Sequence, residues 1–272
     1  MKTKSLSIFL VALFVVEMNL GTEEDKNEKK EDEKFGYKII SEDVPATEVK
    51  LSLKTILIGN SMVGKSVLFG KICKNEPFSE AYSSTVGFEF STLDFKIVSD
   101  KDEPVLRYQM WDLCGDEIYR SLITSFYNNA SVVLLVYDVT NVKSFNDIDG
   151  WVKEAKGKNP KVIEHFVLIG TKIDLKDKRV VSKENVEKFA KANGMKFVEV
   201  SAQTGDGIED LKDILAKIIY EEFKKKNVID ENNEKKDEKI VEDDCEVDSI
   251  EGGKHTHSSS LCDCCKKICE NC

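Results

Sequence analysis

A basic excess, a set of core cysteines and a membrane-length apolar run are all missing from the middle of this 272-residue chain. Residues 49–220 carry 24 acidic and 24 basic side chains, so no net positive charge is available to track a phosphate backbone. That balance argues against a nucleic-acid partner. Only Cys73 and Cys114 fall in this stretch, which leaves nothing to staple a secreted disulfide scaffold. At the N-terminus, Leu6–Val16 is mostly apolar but too short for an ordinary membrane span.

What is present is unevenly distributed. The net charge of −10 resides in the flanks: residues 22–48 hold 10 acids against 5 bases, and residues 221–272 hold 15 against 9. Such charged, aromatic-poor stretches cannot bury enough apolar area to offset ordering entropy, so 22–48 reads as an acidic disordered linker and 224–272 as a disordered tail. The opening MKTKSLSIFLVALFVVEMNLG has two lysines before its apolar run, as a signal peptide or signal-anchor does, over residues 1–21. No small-x-small cleavage site follows, and an apolar leader that packs on the domain or on a membrane surface is the other reading. Six cysteines crowd the last 28 residues.

Between the flanks, residues 49–223 alternate strand-like and helix-like segments. Strands are expected at 54–58, 88–98, 105–111, 132–137, 166–169 and 197–200, the second and third forming a hairpin across DKDEP. Helical periodicity covers 65–72, 119–127, 144–156, 183–192 and 208–223, with Ser144 and Ser182 as expected N-caps. The run VVLLVYD is apolar almost throughout, as in a strand buried on both faces of a parallel sheet. The expectation is an α/β fold: a six-stranded, mostly parallel sheet with one antiparallel strand, flanked by five helices. Ligands of such folds bind beyond the carboxyl ends of the strands.

The loops at those ends carry the chemistry. GNSMVGKS, residues 59–66, follows a strand and opens a helix, as the phosphate-binding pattern G-x-x-x-x-G-K-S requires. Backbone amides over Ser61, Met62, Val63, Gly64, Lys65, Ser66 and Val67 would cradle phosphates at the helix N-terminus. Lys65 would reach the β- and γ-phosphates, and the Ser66 hydroxyl would bind Mg²⁺. Met62 is bulky for this loop, and its side chain is expected to point outward. Thr85, nineteen positions after Ser66, offers a second hydroxyl for Mg²⁺, and Asp112 ends the third strand as the metal-holding carboxylate. Gly115 offers an amide to the γ-phosphate. In TKID, Thr171 to Asp174 with Lys172 between them, the Asp174 carboxylate would accept paired bonds from the exocyclic amine and ring N–H of guanine; adenine lacks that donor pair. SAQ, Ser201–Ala202–Gln203, follows the last strand and sets the Ala202 amide toward the guanine carbonyl.

Taken in order, GNSMVGKS, STVGFEF, RYQMWDLCGDE, FYNNA, VYDVTNVKSF, TKID and SAQTGDG resemble the Ras superfamily of small GTPases, and within it the Rab family. The resemblance spans about residues 50–220. It implies a P-loop NTPase G domain binding GTP or GDP with Mg²⁺, and two switch segments, around Thr85 and around Asp112–Phe126. Effectors, an exchange factor and a GTPase-activating protein would read them. Catalysis would fall to Lys65, Thr85 and Asp116. Three positions depart from the family: threonine opens TKID, glutamine closes SAQ, and Asp116 stands where glutamine orients the attacking water. A carboxylate can accept from that water but cannot donate to the γ-phosphate, and it brings negative charge toward an anion. Slow GTP hydrolysis is therefore expected, with a non-hydrolysing recruitment scaffold as the alternative.

The tail LCDCCKKICENC is similar to the cysteine-bearing termini that Rab proteins have prenylated, which marks Cys269 and Cys272 for lipidation. A metal site with His255 and His257, or a disulfide-linked tail, remains open. Prenylation is cytosolic while a signal peptide leads to the secretory pathway. Membrane association with the G domain in the cytosol reconciles the nucleotide chemistry with the tail.

Overall fold

The computed structural model describes residues 35–40, 43–79, 85–158 and 165–243, with side chains placed up to residue 230 apart from that of Glu117. The leader, most of the linker, and the tail cysteines with Cys269 and Cys272 lie outside the described residues.

One sheet organises the domain, with strand order β1-β3-β4-β2-β5-β6-β7. The strands are β1 (Tyr37–Ile40), β2 (Val49–Ile58), β3 (Phe88–Ile97), β4 (Val105–Leu113), β5 (Val132–Asp138), β6 (His165–Thr171) and β7 (Lys196–Glu199). β3 runs antiparallel to both its neighbours, and the other pairings are parallel. All seven residues of β5 are buried, in keeping with its unbroken apolar run. Helices α1 (Lys65–Cys73) and α6 (Ile208–Asp243) cover one face, where the Tyr108 hydroxyl donates to the Leu215 carbonyl at 2.7 Å. Helices α4 (Ile148–Lys158) and α5 (Lys183–Ala192) cover the other, over Ile56, Val133, Leu135 and Leu168. The parallel strands β2, β4, β5, β6 and β7 end toward one edge, where the loops after β2, β4, β6 and β7 hold the phosphate loop, Asp112–Gly115, TKID and SAQ, and Thr85 enters β3 at the same edge.

Four expectations need correction. The sheet has seven strands, not six, because Tyr37–Ile40 inside the expected linker pairs with Asp94–Ile97. Two apolar side chains in a four-residue strand are too little signal against charged flanks. The strand holds because Tyr37 packs edge-on to Phe95 with centroids 5.4 Å apart and donates its hydroxyl to Asp213 on α6 at 2.6 Å. The last helix continues to Asp243 instead of stopping at Phe223, since its packed half has already nucleated it and Lys, Glu and Asp add turns at little cost. The helix expected at 119–127 is three short pieces: a 3₁₀ turn at Glu117–Tyr119, α2 (Arg120–Ile123) and another 3₁₀ turn at Thr124–Tyr127. There the Thr124 and Ser125 hydroxyls bond back to the Ser121 and Leu122 carbonyls, competing with the helical ladder. The helix expected at 144–156 is split into α3 (Val142–Asn146) and α4, and Asn141 replaces Ser144 as the cap, its side chain accepting from the amides of Lys143 and Ser144.

Arg107 fastens the added edge. Its guanidinium takes both oxygens of Asp94, at 2.8 and 2.6 Å, and the Val44 carbonyl at 2.8 Å. Asp94 is only 4 % exposed. Arg107→Ala leaves that carboxylate unpaired and should lower unfolding free energy by about 3 kcal/mol, read from urea denaturation. An unchanged midpoint would show that the edge is held by other means.

Candidate active site

Apart from the Thr85 segment, which lies between α1 and antiparallel β3, each functional loop begins where a parallel strand ends. After β2 the chain turns at Gly59, whose φ is +147° and where a Cβ would lie 2.1 Å from the Val136 carbonyl oxygen. Gly64, at φ +93°, caps α1 in the left-handed region. No side chain fits the first position, and the second is strained for any residue with a Cβ. Between them Met62 takes a left-handed φ of +67° with its side chain 65 % exposed, outward as expected. The loop encloses Lys65, which is 6 % exposed and donates to the carbonyls of Gly59 at 3.0 Å and Asn60 at 2.8 Å. Burial pulls the Lys65 ammonium below its ordinary range, while Asp112 and Cys114 act in the opposite sense.

The three expected metal ligands meet beside it. Ser66 Oγ donates to Asp112 Oδ2 at 2.5 Å, and Thr85 Oγ1 lies 2.6 Å from Ser66 Oγ and 3.5 Å from Asp112 Oδ2. Asp112 is fully buried, and its Oδ1 has no hydrogen-bond partner. Burial pushes its carboxyl up to about 6, against the Ser66 bond and the Lys65 charge. A buried, under-satisfied carboxylate joined by two hydroxyls is an all-oxygen donor set of the kind Mg²⁺ takes. The residues present therefore fit the metal that the sequence implies.

A cavity of about 630 Å³ opens over this cluster, lined by Ser61, Met62, Gly64, Lys65, Ser66, Val67, Thr85, Gly115, Lys172 and Ala202 among others. Gly115 closes its floor so tightly that a Cβ there would lie 2.3 Å from Lys65 Nζ and 2.6 Å from the Gly59 carbonyl oxygen. A neighbouring cavity of about 270 Å³ is lined by Gly64, Thr171, Lys172, Asp174, Ala202 and Gln203. Thr171 Oγ1 lies 2.5 Å from the Val63 carbonyl and 3.0 Å from that of Tyr137, joining base loop, phosphate loop and sheet. Lys172, at φ +63°, donates to the Met62 carbonyl at 2.8 Å and pairs with Asp138 at 2.6 Å. Ser201, buried, does not line either cavity. Its hydroxyl donates to Asp174 Oδ1 at 2.6 Å and accepts from the Thr204 amide, which fixes the carboxylate's direction.

Two residues escaped the sequence reading. Phe78 lines both cavities with its ring half-exposed, well placed as an aromatic wall for a base; its signal was one phenylalanine in a loop without a pattern. Asn60 occupies an unspecified position of the phosphate-loop pattern, yet both ends of its amide are hydrogen-bonded outside the loop. Asp116 stands apart from the gathered set. It lines neither cavity, and its carboxylate accepts from the Ile118 amide at 3.1 Å, turned into its own 3₁₀ turn.

The shifted carboxyl yields a test. A proton and Mg²⁺ compete for Asp112, whose ordinary pKa is raised, so the charged form that binds metal is lost as pH falls through about 6. Mg²⁺ affinity of the GDP-loaded protein should fall by up to about tenfold per pH unit below that point. In Asp112→Asn the affinity should be low and keep only the weaker pH dependence that protonation of the GDP terminal phosphate brings. A pH-independent native affinity, measured by calorimetric titration, would remove Asp112 from the metal set.

Comparison with known proteins bears on the same stretch. The model of the Ras family matches residues 54–221. The chain is 35 % identical over 215 residues to the Ras-related protein Rab-11B of Dictyostelium discoideum, covering 78 % of this chain and 94 % of that protein. It is 36 % identical over 194 residues to the GTP-binding protein YPT1 of Saccharomyces cerevisiae, covering 71 % and 90 %. To human Ras-related protein Rab-8B it is 37 % identical over 174 residues, covering 64 % and 81 %. With the phosphate loop and both base loops lying inside that match, the chain belongs to the Ras family and is a Rab-like small GTPase.

Proposed function

We propose that the protein is a guanine-nucleotide switch of membrane traffic that depends on Mg²⁺ and hydrolyses GTP slowly. The observation that carries the reading is the convergence of Ser66, Thr85 and Asp112 beside the Lys65 loop, with Asp174 held by Ser201 in the adjoining cavity. Lys65 contributes a buried positive charge to the phosphates. The amides from Ser61 to Val67, at the start of α1, supply donors that need no reorganisation. Ser66, Thr85 and Asp112 would hold Mg²⁺, which when bound neutralises charge developing on the transferred phosphoryl group. Asp174, Ala202 and Gln203 with Thr171 and Lys172 select guanine. Gly115 gives its amide to the γ-phosphate.

Slow turnover rests on Asp116. Its carboxylate caps Ile118 and carries the wrong charge for a group facing phosphate. Water is then oriented weakly, and the GTP state persists long enough to recruit partners. Exchange factors, activating proteins and effectors would meet the exposed apolar side chains of the two switch segments: Val86, Phe88, Phe90, Ile118 and Leu122. A recruitment scaffold with no turnover is the limiting case of the same argument. Membrane association through the leader, the lipidated Cys269 and Cys272, or both completes the proposal; among the described residues no helix is long and apolar enough to cross a membrane.

Five outcomes test this. GTP and GDP should compete tightly and ATP should not. Lys65→Ala should abolish binding, while Asp174→Asn should move preference toward xanthine; equal affinity for ATP and GTP would sink the guanine assignment. Asp116→Gln should raise single-turnover phosphate release on the order of 10²-fold, the scale of one preorganised donor. A native rate equal to the variant's would make Asp116 a competent water-positioning group. Removing residues 1–21 and 262–272 together should release the protein from sedimenting membranes, and persistence in the pellet would rule out both ends.

A further inference from the structure

We propose that Trp151 is a positioning residue of the GTP site, joining the phosphate loop by its indole edge to the segment after Asp116 by its ring face. The proposal rests on the nucleotide reading above and adds a residue to it. Asn60 is the first contact. Its carbonyl accepts from Lys65, and its carbonyl carbon stands 2.7 Å from where a Cβ on Gly115 would be, so its backbone touches both the phosphate lysine and the γ-phosphate glycine. Its side chain turns the other way. Asn60 Nδ2 donates to Asp147 Oδ2 at 2.6 Å, and Asn60 Oδ1 accepts from Trp151 Nε1 at 2.9 Å. The amide cannot be reversed, because its N–H groups would then face the indole N–H and its oxygen the carboxylate.

The second contact is on the ring. The Arg120 guanidinium lies over the Trp151 indole, 4.3 Å from its centroid, and is held there by Glu154 at 2.7 Å through Nε. Arg120 opens α2, four residues after Asp116. Trp151 itself is 3 % exposed, packed in the α4 face of the core. One rigid side chain therefore grips the loop that encloses Lys65 and the segment that must bring Gly115 to the γ-phosphate. Movement of the segment on nucleotide exchange changes the cation over the ring, and movement of the ring is felt at Asn60 and Lys65.

The test separates edge from face. Trp151→Phe keeps a ring under Arg120 but removes the N–H, and Asn60→Ala removes the acceptor. Each should speed release of a fluorescent GDP about five-fold, the scale of one hydrogen bond. Because Asn60→Ala removes the Trp151 bond together with the Asp147 bond, the double variant should be no faster than Asn60→Ala alone. In a Trp111→Phe background, Trp151 emission should differ between GDP and a non-hydrolysable GTP analogue, and Arg120→Ala should erase the difference. Variants that lower the melting temperature while GDP release stays at the native rate, or effects that add in the double variant, would reduce Trp151 to core packing. Should the native protein bind no guanine nucleotide, the functional reading itself fails; should it bind and the variants release GDP like the native chain, only the role of Trp151 fails.

Discussion

Lys65 and Asp112 are two opposite charges withdrawn from water at the carboxyl end of a sheet, 6 % and 0 % exposed, and the architecture around them makes that tolerable. Neither is neutralised by a direct contact between the two. Lys65 is solvated instead by the Gly59 and Asn60 carbonyls, and Asp112 by the Ser66 hydroxyl with Thr85 nearby. An isolated buried charge costs several kcal/mol even after relaxation, by general estimates for protein interiors. The remaining imbalance is legible in the shifts: the lysine is pulled down and the carboxyl pushed up, both by burial first. A site left in that condition favours a polyanion with a divalent cation, since the pair restores to each charge what burial removed.

Rigid strands make this arrangement possible. β2 and β4 run parallel with Leu57 opposite Asp112, so the Asp112 carboxylate and the start of the Gly59–Ser66 loop are set by one register. β5, buried along its whole length, gives the loop a wall close enough that only glycine fits at position 59. Where the chain leaves the sheet for residues 116–127 that rigidity ends. The short 3₁₀ and α pieces there are tied by hydroxyls to their own carbonyls and by Arg120 to α4. A segment built of broken turns can rearrange at small cost, as a switch must. The Asn60–Trp151–Arg120 contacts lie on the border between the rigid and the yielding part.

Much of the site could be read from the letters because its chemistry is carried by local patterns. A strand, a glycine loop and a lysine in one stretch identify a phosphate cradle through geometry that neighbours do not alter. The unbroken apolar run of β5 and the hairpin of β3 and β4 are likewise local facts. They are enough for the doubly wound order and for the loops expected to hold phosphates and base, which gather around the two cavities at one end of the sheet. The departure at Asp116 was visible as a change of charge. The direction of its carboxylate, into the Ile118 amide, was not.

Tertiary structure decided the rest, since each missed feature depends on a partner distant in sequence. β1 exists because Asp213, Phe95 and Arg107 come to meet it, and a four-residue run between charged flanks has no such strength alone. Ser201 orients Asp174 across 27 positions, and Thr171 ties to Val63 across 108. Phe78 becomes a wall of both cavities, and Asn60 a bridge to Trp151 91 residues on, only after α1 and α4 have packed. By itself the sequence determined the family of chemistry, because that resides in short motifs; which side chains hold those motifs in place was settled by packing, because hydrogen bonds and apolar contacts are made in space.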